Sequence, residues 1–323
     1  MTVTGIWKNC GTRLLKAVNK KQEVIMAVHI IENEELKVQV LDHGGELVSI
    51  IKKATGKEYL WNADPAWWNR HSPVLFPFVG GLKDKTYRYG GREYTLGQHG
   101  FARDKEFELV SNSGTEIWHR LLPDESTRAV YPFEFELETG IRLFRNQVVV
   151  LWRVQNHSET ENMYFSIGGH PAFLCPLKDE KREDCEILFE GVPLLNTRML
   201  EGGLAAKKLS QLELNKREIA GKTYGAVKVS EHLFDCDAYV VEGHQTREVA
   251  LAGADGKIYL AVKFDAPLFG VWAPKGTAPF VCIEPWYGRC DSVDFDGTLK
   301  EKEYINELLP GQVFSKNYHI CIY

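Results

Sequence analysis

Apolar residues alternate with polar ones along most of the chain, which is the period of a β-strand with one buried face. Leu36, Val38 and Val40 follow this pattern, and the turn residues His43-Gly44-Gly45 then interrupt it before a second apolar stretch at residues 47–51. Together these segments predict a strand, a turn and a strand. The same pattern predicts further strands at residues 148–154, 163–167, 239–241, 268–272 and 280–283.

Two β-hairpins are predicted from their turn residues. Gly90-Gly91 separates residues 87–89 from 93–95, and a turn containing Asp255-Gly256 separates residues 249–252 from 258–262. Paired glycines and Asp-Gly supply the positive φ angles that tight hairpin turns require. Helical patterns are scarce, and the best helix start is Asp64-Pro65, which predicts a helix of one or two turns.

These elements lack the alternation of strands and helices that parallel sheets need, and no phosphate loop or dinucleotide fingerprint occurs in the sequence. We therefore predict an all-β fold, with residues 26–323 forming one antiparallel domain that carries a few short helices. Residues 1–25 differ, because five basic residues precede the first acidic one, Glu23. We interpret this segment as an accessory or cloning-derived tail, with an organelle transit peptide or an upstream start codon as the alternatives.

Composition narrows the class of protein. The chain has 323 residues with 44% hydrophobic and 26% charged, which is ordinary for a globular protein and excludes collagen-like, disordered and disulfide-scaffold classes. A net charge of −5 offers no broad positive field for a nucleic acid, and no apolar run reaches the ~18 residues that span a bilayer. Seven cysteines without a CxxC pair favour a reducing compartment, so we expect a cytoplasmic protein. We expect it to be a monomer or a homodimer.

Three segments with glycine or proline, polar residues and aromatics lie where strands end, at residues 98–103, 168–173 and 282–288. Loops at strand ends commonly carry binding residues. His170 follows two glycines and precedes a proline, so its imidazole is held at a stiff corner of the chain. That position suits a proton donor, and the alternative is a histidine that bonds a loop carbonyl. Glu284 follows an apolar run, where a carboxylate needs partners and can serve either catalysis or a structural salt bridge.

Other candidate residues surround these two. His99 and Arg103 can donate hydrogen bonds to hydroxyls or a phosphate, and Trp286 can pack against a sugar ring or within the core. Asp237 precedes a strand and can accept from substrate hydroxyls or bond its own turn. The histidines and carboxylates are possible metal ligands, but their spacing matches no zinc or iron motif, so we predict no metal site.

Six segments in order carry a resemblance to a known family. They are Gly45-Glu46-Leu47-Val48-Ser49-Ile50, Glu58-Tyr59-Leu60-Trp61, Pro73-Val74-Leu75-Phe76-Pro77, Gln98-His99-Gly100-Phe101-Ala102-Arg103, Gly169-His170-Pro171-Ala172-Phe173 and Pro279-Phe280-Val281-Cys282-Ile283-Glu284-Pro285-Trp286-Tyr287-Gly288. In these segments the chain resembles the aldose 1-epimerases (galactose mutarotases), most closely the LacX-like branch. The resemblance implies a large antiparallel β-supersandwich and catalysis without a metal or an organic cofactor.

The resemblance also implies residue roles. The catalytic acid falls on His170 and the base on Glu284, while His99 and Asp237 match residues that hold the sugar, a hexose or hexose phosphate. Relatives in the LacX-like branch usually carry an arginine where this chain has Gly81, and Arg70 or Lys83 is a candidate to compensate.

Two other functions stay open from the sequence. One is a carbohydrate-binding or sensing protein without turnover, which the Gly81 departure favours. The other is glycoside hydrolysis by Glu284 and Asp237, which leaves His170 unexplained.

Overall fold

Antiparallel strands make up nearly all of the regular structure in the computed structural model, which describes residues 12–17 and 24–323. In chain order the strands are β1 (Thr12–Ala17), β2 (Val24–Glu32), β3 (Leu36–Leu41), β4 (Leu47–Lys52), β5 (Lys57–Glu58), β6 (Val74–Leu75), β7 (Thr86–Tyr89), β8 (Arg92–Thr95), β9 (Glu108–Asn112), β10 (Glu116–Leu121), β11 (Phe135–Phe144), β12 (Gln147–Asn156), β13 (Met163–Phe165) and β14 (Ile167–Gly169). They continue with β15 (Ala172–Leu174), β16 (Glu186–Glu190), β17 (Leu194–Glu201), β18 (Leu204–Glu213), β19 (Asn215–Ile219), β20 (Lys222–Lys228), β21 (Tyr239–Glu242), β22 (Glu248–Ala252), β23 (Ile258–Phe264), β24 (Leu268–Trp272), β25 (Phe280–Tyr287), β26 (Asn306–Leu308) and β27 (Val313–Ile322).

Two large sheets form the body of the described structure. The ten-stranded sheet has the order β19-β20-β16-β22-β23-β27-β12-β11-β10-β9. The eight-stranded sheet has the order β18-β17-β21-β24-β25-β14-β6, with β15 also paired to β25. A five-stranded sheet, β1 to β5, and the two-stranded pairs β7-β8 and β13-β26 complete the fold.

The hydrophobic core lies between these two large sheets, and β25 shows how the strand period builds it. Its residues Val281, Ile283 and Tyr287 belong to the main apolar cluster, together with Trp152 of β12 and Tyr318 of β27. The intervening residues of β25 point to the opposite face of the eight-stranded sheet, because successive side chains of a strand alternate between faces. Both faces of β25 are buried, so a polar side chain on the outer face must be held by partners.

The structure confirms the all-β prediction and both predicted hairpins, β7-β8 and β22-β23. The strand predicted over residues 163–167 is divided at Ser166. Its first half pairs with β26, and its second half pairs with β25 and β6.

No helix forms at the predicted start, Asp64, because residues 65–67 make one hydrogen-bonded turn that does not continue into a helix. The Asp64 side chain caps it as expected, accepting from the Ala66 N–H at 2.9 Å. The turn ends at Trp68, whose carbonyl accepts a 2.8 Å hydrogen bond from the Trp61 indole instead of continuing a helix.

One α-helix in the described structure has no counterpart in the sequence prediction. It is α1 (Glu125–Val130), and a reciprocal capping box between Asp124 and Thr127 begins it. Short 3₁₀ helices lie at Lys83–Lys85, Ala102–Asp104, Arg182–Asp184 and Leu299–Glu301. In the part of the chain that the structure describes, no helix is both long and apolar enough to cross a membrane.

Part of the predicted N-terminal tail pairs with the five-stranded sheet. β1 lies antiparallel to β2, with Thr12 opposite His29 and Ala17 opposite Val24. Residues 1–11 and 18–23 lie outside the described residues, and the domain boundary at residue 26 stays a prediction. Six cysteines of the described chain carry free thiols, and Cys10 falls outside it.

Candidate active site

His170 lies between two short strands that both pair with β25. β14 pairs with residues 286–287 of β25, whereas β15 pairs with residues 280–282. The His170-Pro171 corner must therefore lie beside the middle of β25, where Glu284 stands. Two segments that are far apart in the chain are brought together by strand pairing alone.

The two glycines before His170 permit close approach of neighbouring side chains. A Cβ atom at Gly168 would lie 2.6 Å from Cδ1 of Trp286, and one at Gly169 would lie 2.8 Å from the Tyr318 hydroxyl oxygen. Real Cβ contacts are longer than this, so any larger residue at either position would displace the strand that presents His170.

Glu284 is on the outer face of β25, turned away from the main core. Gly270 of β24 pairs with Glu284, and a Cβ there would lie 2.5 Å from Cζ2 of Trp286. The Trp286 ring therefore fills the space that two glycines, Gly168 and Gly270, leave open on either side of β25. This packing sets its indole N–H beside Glu284.

The side chains of His170 and Glu284 form a buried pair. The Nε2 atom of His170 lies 3.3 Å from Oε2 of Glu284, and both residues are almost fully buried. Neither His170 Nδ1 nor Glu284 Oε2 has a hydrogen-bond partner among the described residues. Unpartnered polar atoms in a buried site are costly, so their presence here indicates a place prepared for a polar ligand.

Burial drives both members of the pair toward their neutral forms. It lowers the pKa of His170 to about 3, and the positive charges of Arg103 and Arg70 act in the same direction. Burial also raises the pKa of Glu284 well above its usual range, which the Trp286 indole N–H opposes. At a pH between these two pKa values the pair therefore holds one proton, located mainly on Glu284.

Two tryptophans orient the His170 ring. The Trp68 ring stacks on it, with centroids 4.7 Å apart and planes inclined by 28°. Trp272 meets the same ring edge-on at 5.7 Å. The imidazole is thus clamped in the plane that directs its Nε2 atom toward Glu284.

His99 is held by a reciprocal pair of hydrogen bonds with Gly80. The backbone N–H of His99 donates to the Gly80 carbonyl at 3.0 Å, and the backbone N–H of Gly80 donates to the ring atom Nδ1 of His99 at 3.1 Å. His99 adopts a φ of 69°, in the left-handed region. Burial lowers its pKa well below the usual value, and His170 and Arg103 nearby act in the same direction, so the ring is neutral.

One cavity of about 500 Å³ collects the residues that the sequence singles out. It is lined by all seven of the predicted site residues, Arg70, His99, Arg103, His170, Asp237, Glu284 and Trp286. The cavity is of the size that small-molecule sites have.

Asp237 bonds its own turn, which is one of the two alternatives that its sequence context leaves open. Its Oδ1 atom accepts a 2.8 Å hydrogen bond from the Ala238 N–H, as a turn aspartate does. Its φ of 77° places it in the left-handed region, and its side chain is exposed in the cavity wall.

The two cavity arginines differ in how fully they are engaged. Arg70 Nη2 donates to the Asp104 carboxylate at 2.7 Å. Arg103 Nη2 donates to the Gln98 carbonyl at 2.9 Å, whereas its buried Nε has no hydrogen-bond partner among the described residues. Arg103 therefore has donor capacity left for a ligand.

Gly81 lies beside this cavity, next to the lining residue Gly80. A Cβ atom there would lie 3.5 Å from the Gly203 carbonyl oxygen, which is ordinary contact. Lys83 does not compensate for the missing arginine, because its Nζ atom donates to the Phe295 carbonyl at 2.9 Å and the residue is not part of the cavity wall.

Sequence reasoning missed several lining residues. Trp68, Gln98 and Trp272 line the cavity, although all three stand within or next to segments that the sequence pattern marks as turn, strand or strand end. Nothing local marks them, because an aromatic residue at a strand end or in a turn serves a core equally often.

Cys282 is a further neighbour of the pair. Donor atoms of His170, Cys282 and Glu284 lie within 4.8 Å of one another, so this group has the residue types and spacing to hold a metal ion. Burial raises the pKa of the Cys282 thiol well above its usual value, and the nearby Glu284 carboxylate adds to this. The thiol is thus protonated.

The fold and the site place this protein in the class of galactose mutarotase-like proteins. A galactose mutarotase related enzyme from Lactobacillus acidophilus has 35% sequence identity and a TM-score of 0.84, with 92% of this chain and 97% of that chain covered. A galactose mutarotase-like protein from Lactobacillus casei has 25% identity and a TM-score of 0.79, with 92% and 100% covered.

Sequence relationships agree with the structural ones. The chromosomal protein LacX of Lactococcus lactis subsp. lactis is 32% identical over 301 residues, which cover 90% of this chain and 98% of LacX. The profile of the aldose 1-epimerase family matches residues 26–317. The chain therefore belongs to the aldose 1-epimerase family, and membership supports a carbohydrate epimerase role.

Proposed function

We propose that the protein is an aldose 1-epimerase that interconverts the α and β anomers of a hexose or hexose phosphate, with His170 as acid and Glu284 as base. The observation that carries this proposal is the 3.3 Å separation of His170 Nε2 and Glu284 Oε2 in a cavity that can hold a sugar. Two proton-transferring groups so close together can act on the two oxygens of one anomeric centre.

Ring opening uses the charged form of the pair. Glu284 takes the proton of the anomeric hydroxyl, and the C1–O1 bond becomes a carbonyl. The electron pair of the C1–O5 bond moves to the ring oxygen, which takes a proton from His170. The pair then consists of a protonated Glu284 and a neutral His170.

Burial favours that neutral pair, so the protein stabilises the state in which the open-chain aldehyde exists. Rotation about C1–C2 exposes the other face of the aldehyde, and reclosure returns the proton of O5 to His170 and that of Glu284 to O1. One proton shared by the pair suffices for the whole cycle, because reclosure restores an ionised Glu284 and a protonated His170.

The other cavity residues position the sugar. His99 offers Nε2–H to a ring or hydroxyl oxygen, and Asp237 accepts from hydroxyl groups. Arg103 donates to hydroxyl or phosphate oxygens, while Trp286 provides an apolar face.

Anomer-resolved NMR or polarimetry with glucose, galactose and their 6-phosphates tests the proposal. We expect the protein to accelerate equilibration, and Glu284→Gln or His170→Gln to reduce kcat by about 10²–10⁴-fold, the usual worth of a positioned acid or base. Glu248→Gln is a matched control, since Glu248 is equally buried but lies in the ten-stranded sheet. Equal activity in the wild type and Glu284→Gln would contradict the proposal.

A non-catalytic sugar-binding protein is the second candidate, and one observation favours it. Gly81, next to the cavity, provides no side chain where the resemblance to the LacX-like branch implies an arginine. Saturable sugar binding without faster equilibration would identify this function. Release of nitrophenol from a nitrophenyl glycoside would instead indicate hydrolysis.

A further inference from the structure

Three side chains of types that bind metals converge outside the sugar cavity, where the five-stranded sheet meets the ten-stranded sheet. His29 comes from β2, Asp42 directly follows β3, and His119 comes from β10. The Nε2 atoms of both histidines approach the same carboxylate oxygen, Asp42 Oδ1, at 2.7 Å and 3.1 Å. We propose that this His₂Asp cluster is a binding site for a divalent transition metal, with Zn²⁺ the ion that its ligands suit best.

The ligand types and their spacing carry this proposal. Imidazole nitrogen and carboxylate oxygen are ordinary zinc ligands at about 2.0–2.2 Å, so two of them in a tetrahedral site are about 3.3 Å apart. The two N···O separations are slightly shorter than that, and the donor atoms of all three residues lie within 4.8 Å of one another. A small outward movement of the Asp42 carboxylate converts hydrogen bonds into metal bonds.

The backbone holds Asp42 ready for this role. Its carbonyl accepts a 2.9 Å hydrogen bond from the Phe107 N–H and a 3.2 Å bond from the Gly45 N–H. The two imidazoles are tilted by 52° with centroids 5.5 Å apart, so their nitrogens converge instead of stacking. A site whose ligands are already positioned loses little conformational entropy when it binds an ion.

The two histidine side chains are buried and the aspartate is partly exposed, as a metal site with three protein ligands requires. The side chains of His29 and His119 are only 7% and 1% exposed, whereas that of Asp42 is 25% exposed. The exposed side at Asp42 leaves a coordination position for water.

A metal here would join two sheets. His29 and Asp42 belong to the five-stranded sheet and its edge, whereas His119 belongs to the ten-stranded sheet. None of the three lines the sugar cavity. The expected consequence is a more stable fold, because an ion that binds only the folded protein raises its melting temperature.

The test uses the full chain freed of metal by a chelator. Calorimetric titration with Zn²⁺ should give one site per chain, and a thermal scan should give a higher melting temperature when Zn²⁺ is present. Asp42→Asn and His29→Gln should each weaken binding at least about ten-fold, the smallest loss that removal of even an outer-shell partner typically causes. His43→Gln is a matched control, because His43 is adjacent but pairs with Glu106. Absence of saturable Zn²⁺ binding to the wild type would overturn the proposal.

The cluster of His170, Cys282 and Glu284 is the competing location, and two measurements separate the sites. Zinc binding that persists in Cys282→Ala and is weakened in Asp42→Asn supports the proposed site, and the reverse pattern overturns it. Co²⁺ bound to the wild type gives the same distinction without a mutation. A thiolate-to-cobalt absorption band would place the ion at Cys282. The proposed site has only nitrogen and oxygen ligands, so we expect the visible bands of bound Co²⁺ without a thiolate-to-cobalt band.

Discussion

The backbone N–H of Gly80 donates a hydrogen bond to Nδ1 of His99 at 3.1 Å. Because a backbone N–H can only donate, Nδ1 is the unprotonated nitrogen and Nε2 carries the hydrogen. The His99 ring that lines the cavity is thus neutral, and its Nε2 atom is a hydrogen-bond donor. The donor is fixed before any sugar arrives.

His99 should therefore contribute to substrate binding through one hydrogen bond. We expect His99→Phe to raise KM about ten-fold, the worth of one such bond, whereas His99→Gln should retain most of the affinity because its side-chain amide can donate. Steady-state kinetics measure both effects, and ¹⁵N NMR of the ring nitrogens checks the tautomer. Protonation on Nδ1 at neutral pH would contradict the assignment. His232→Phe, at an exposed position, is the control.

The activity should depend on pH through the His170–Glu284 pair. The competent pair carries one proton, so activity falls when a second proton binds and when the last one is lost. Burial lowers the pKa of His170 to about 3, which places the acid limb well below the ordinary histidine value of about 6.5. Burial raises the pKa of Glu284, so the alkaline limb appears as the pH rises through that elevated value.

Measurement of kcat/KM from about pH 4 to pH 9, corrected for spontaneous mutarotation, should show no acid limb near the ordinary histidine pKa and a fall of activity toward alkaline pH. An acid limb near pH 6.5 would show that His170 titrates as an exposed imidazole, contrary to its burial. The absence of any alkaline limb would count against Glu284.

Trp68 should act through the orientation of His170. Removing the stacked ring in Trp68→Leu frees the imidazole to leave its productive plane, so we expect kcat to fall about ten-fold or more with a smaller change in KM. Trp68→Phe should recover most of the activity, because a phenyl ring can still stack. The neighbouring Trp67 is 40% exposed and outside the cavity wall, so Trp67→Leu should leave kcat unchanged. Equal losses in the two leucine variants would refute a specific role.

Gly81→Arg should improve binding of an anionic sugar. Space for a Cβ exists at this position, and the new guanidinium would stand beside the cavity. For a hexose 6-phosphate we expect KM to fall about ten-fold, the worth of one charge-assisted hydrogen bond, with little change for the neutral hexose. Gly81→Met is the control of similar length without charge. A gain that both variants share would show that the charge is not responsible.

Secondary structure could largely be predicted from the sequence, because strand period and turn chemistry are local. The residues of the β7-β8 hairpin carry their own turn signal, Gly90-Gly91, and β24 matches the predicted residues 268–272. The errors arose where tertiary contacts decided the outcome. Trp68 ends a turn that could have become a helix, and Ser166 divides one apolar run between two sheets.

The candidate site likewise has one part that the sequence predicts and another that depends on tertiary contacts. The sequence by itself determined which residues have the chemistry, namely His99, His170, Asp237 and Glu284, and the resemblance of six short segments identified their family. Only the tertiary structure decided that β14 and β15 both pair with β25, which sets His170 3.3 Å from Glu284. Strand pairing joins residues that are distant in the chain, and no local pattern records which strands will pair. For the same reason Trp68 and Trp272, and the cluster of His29, Asp42 and His119, emerged only from the fold.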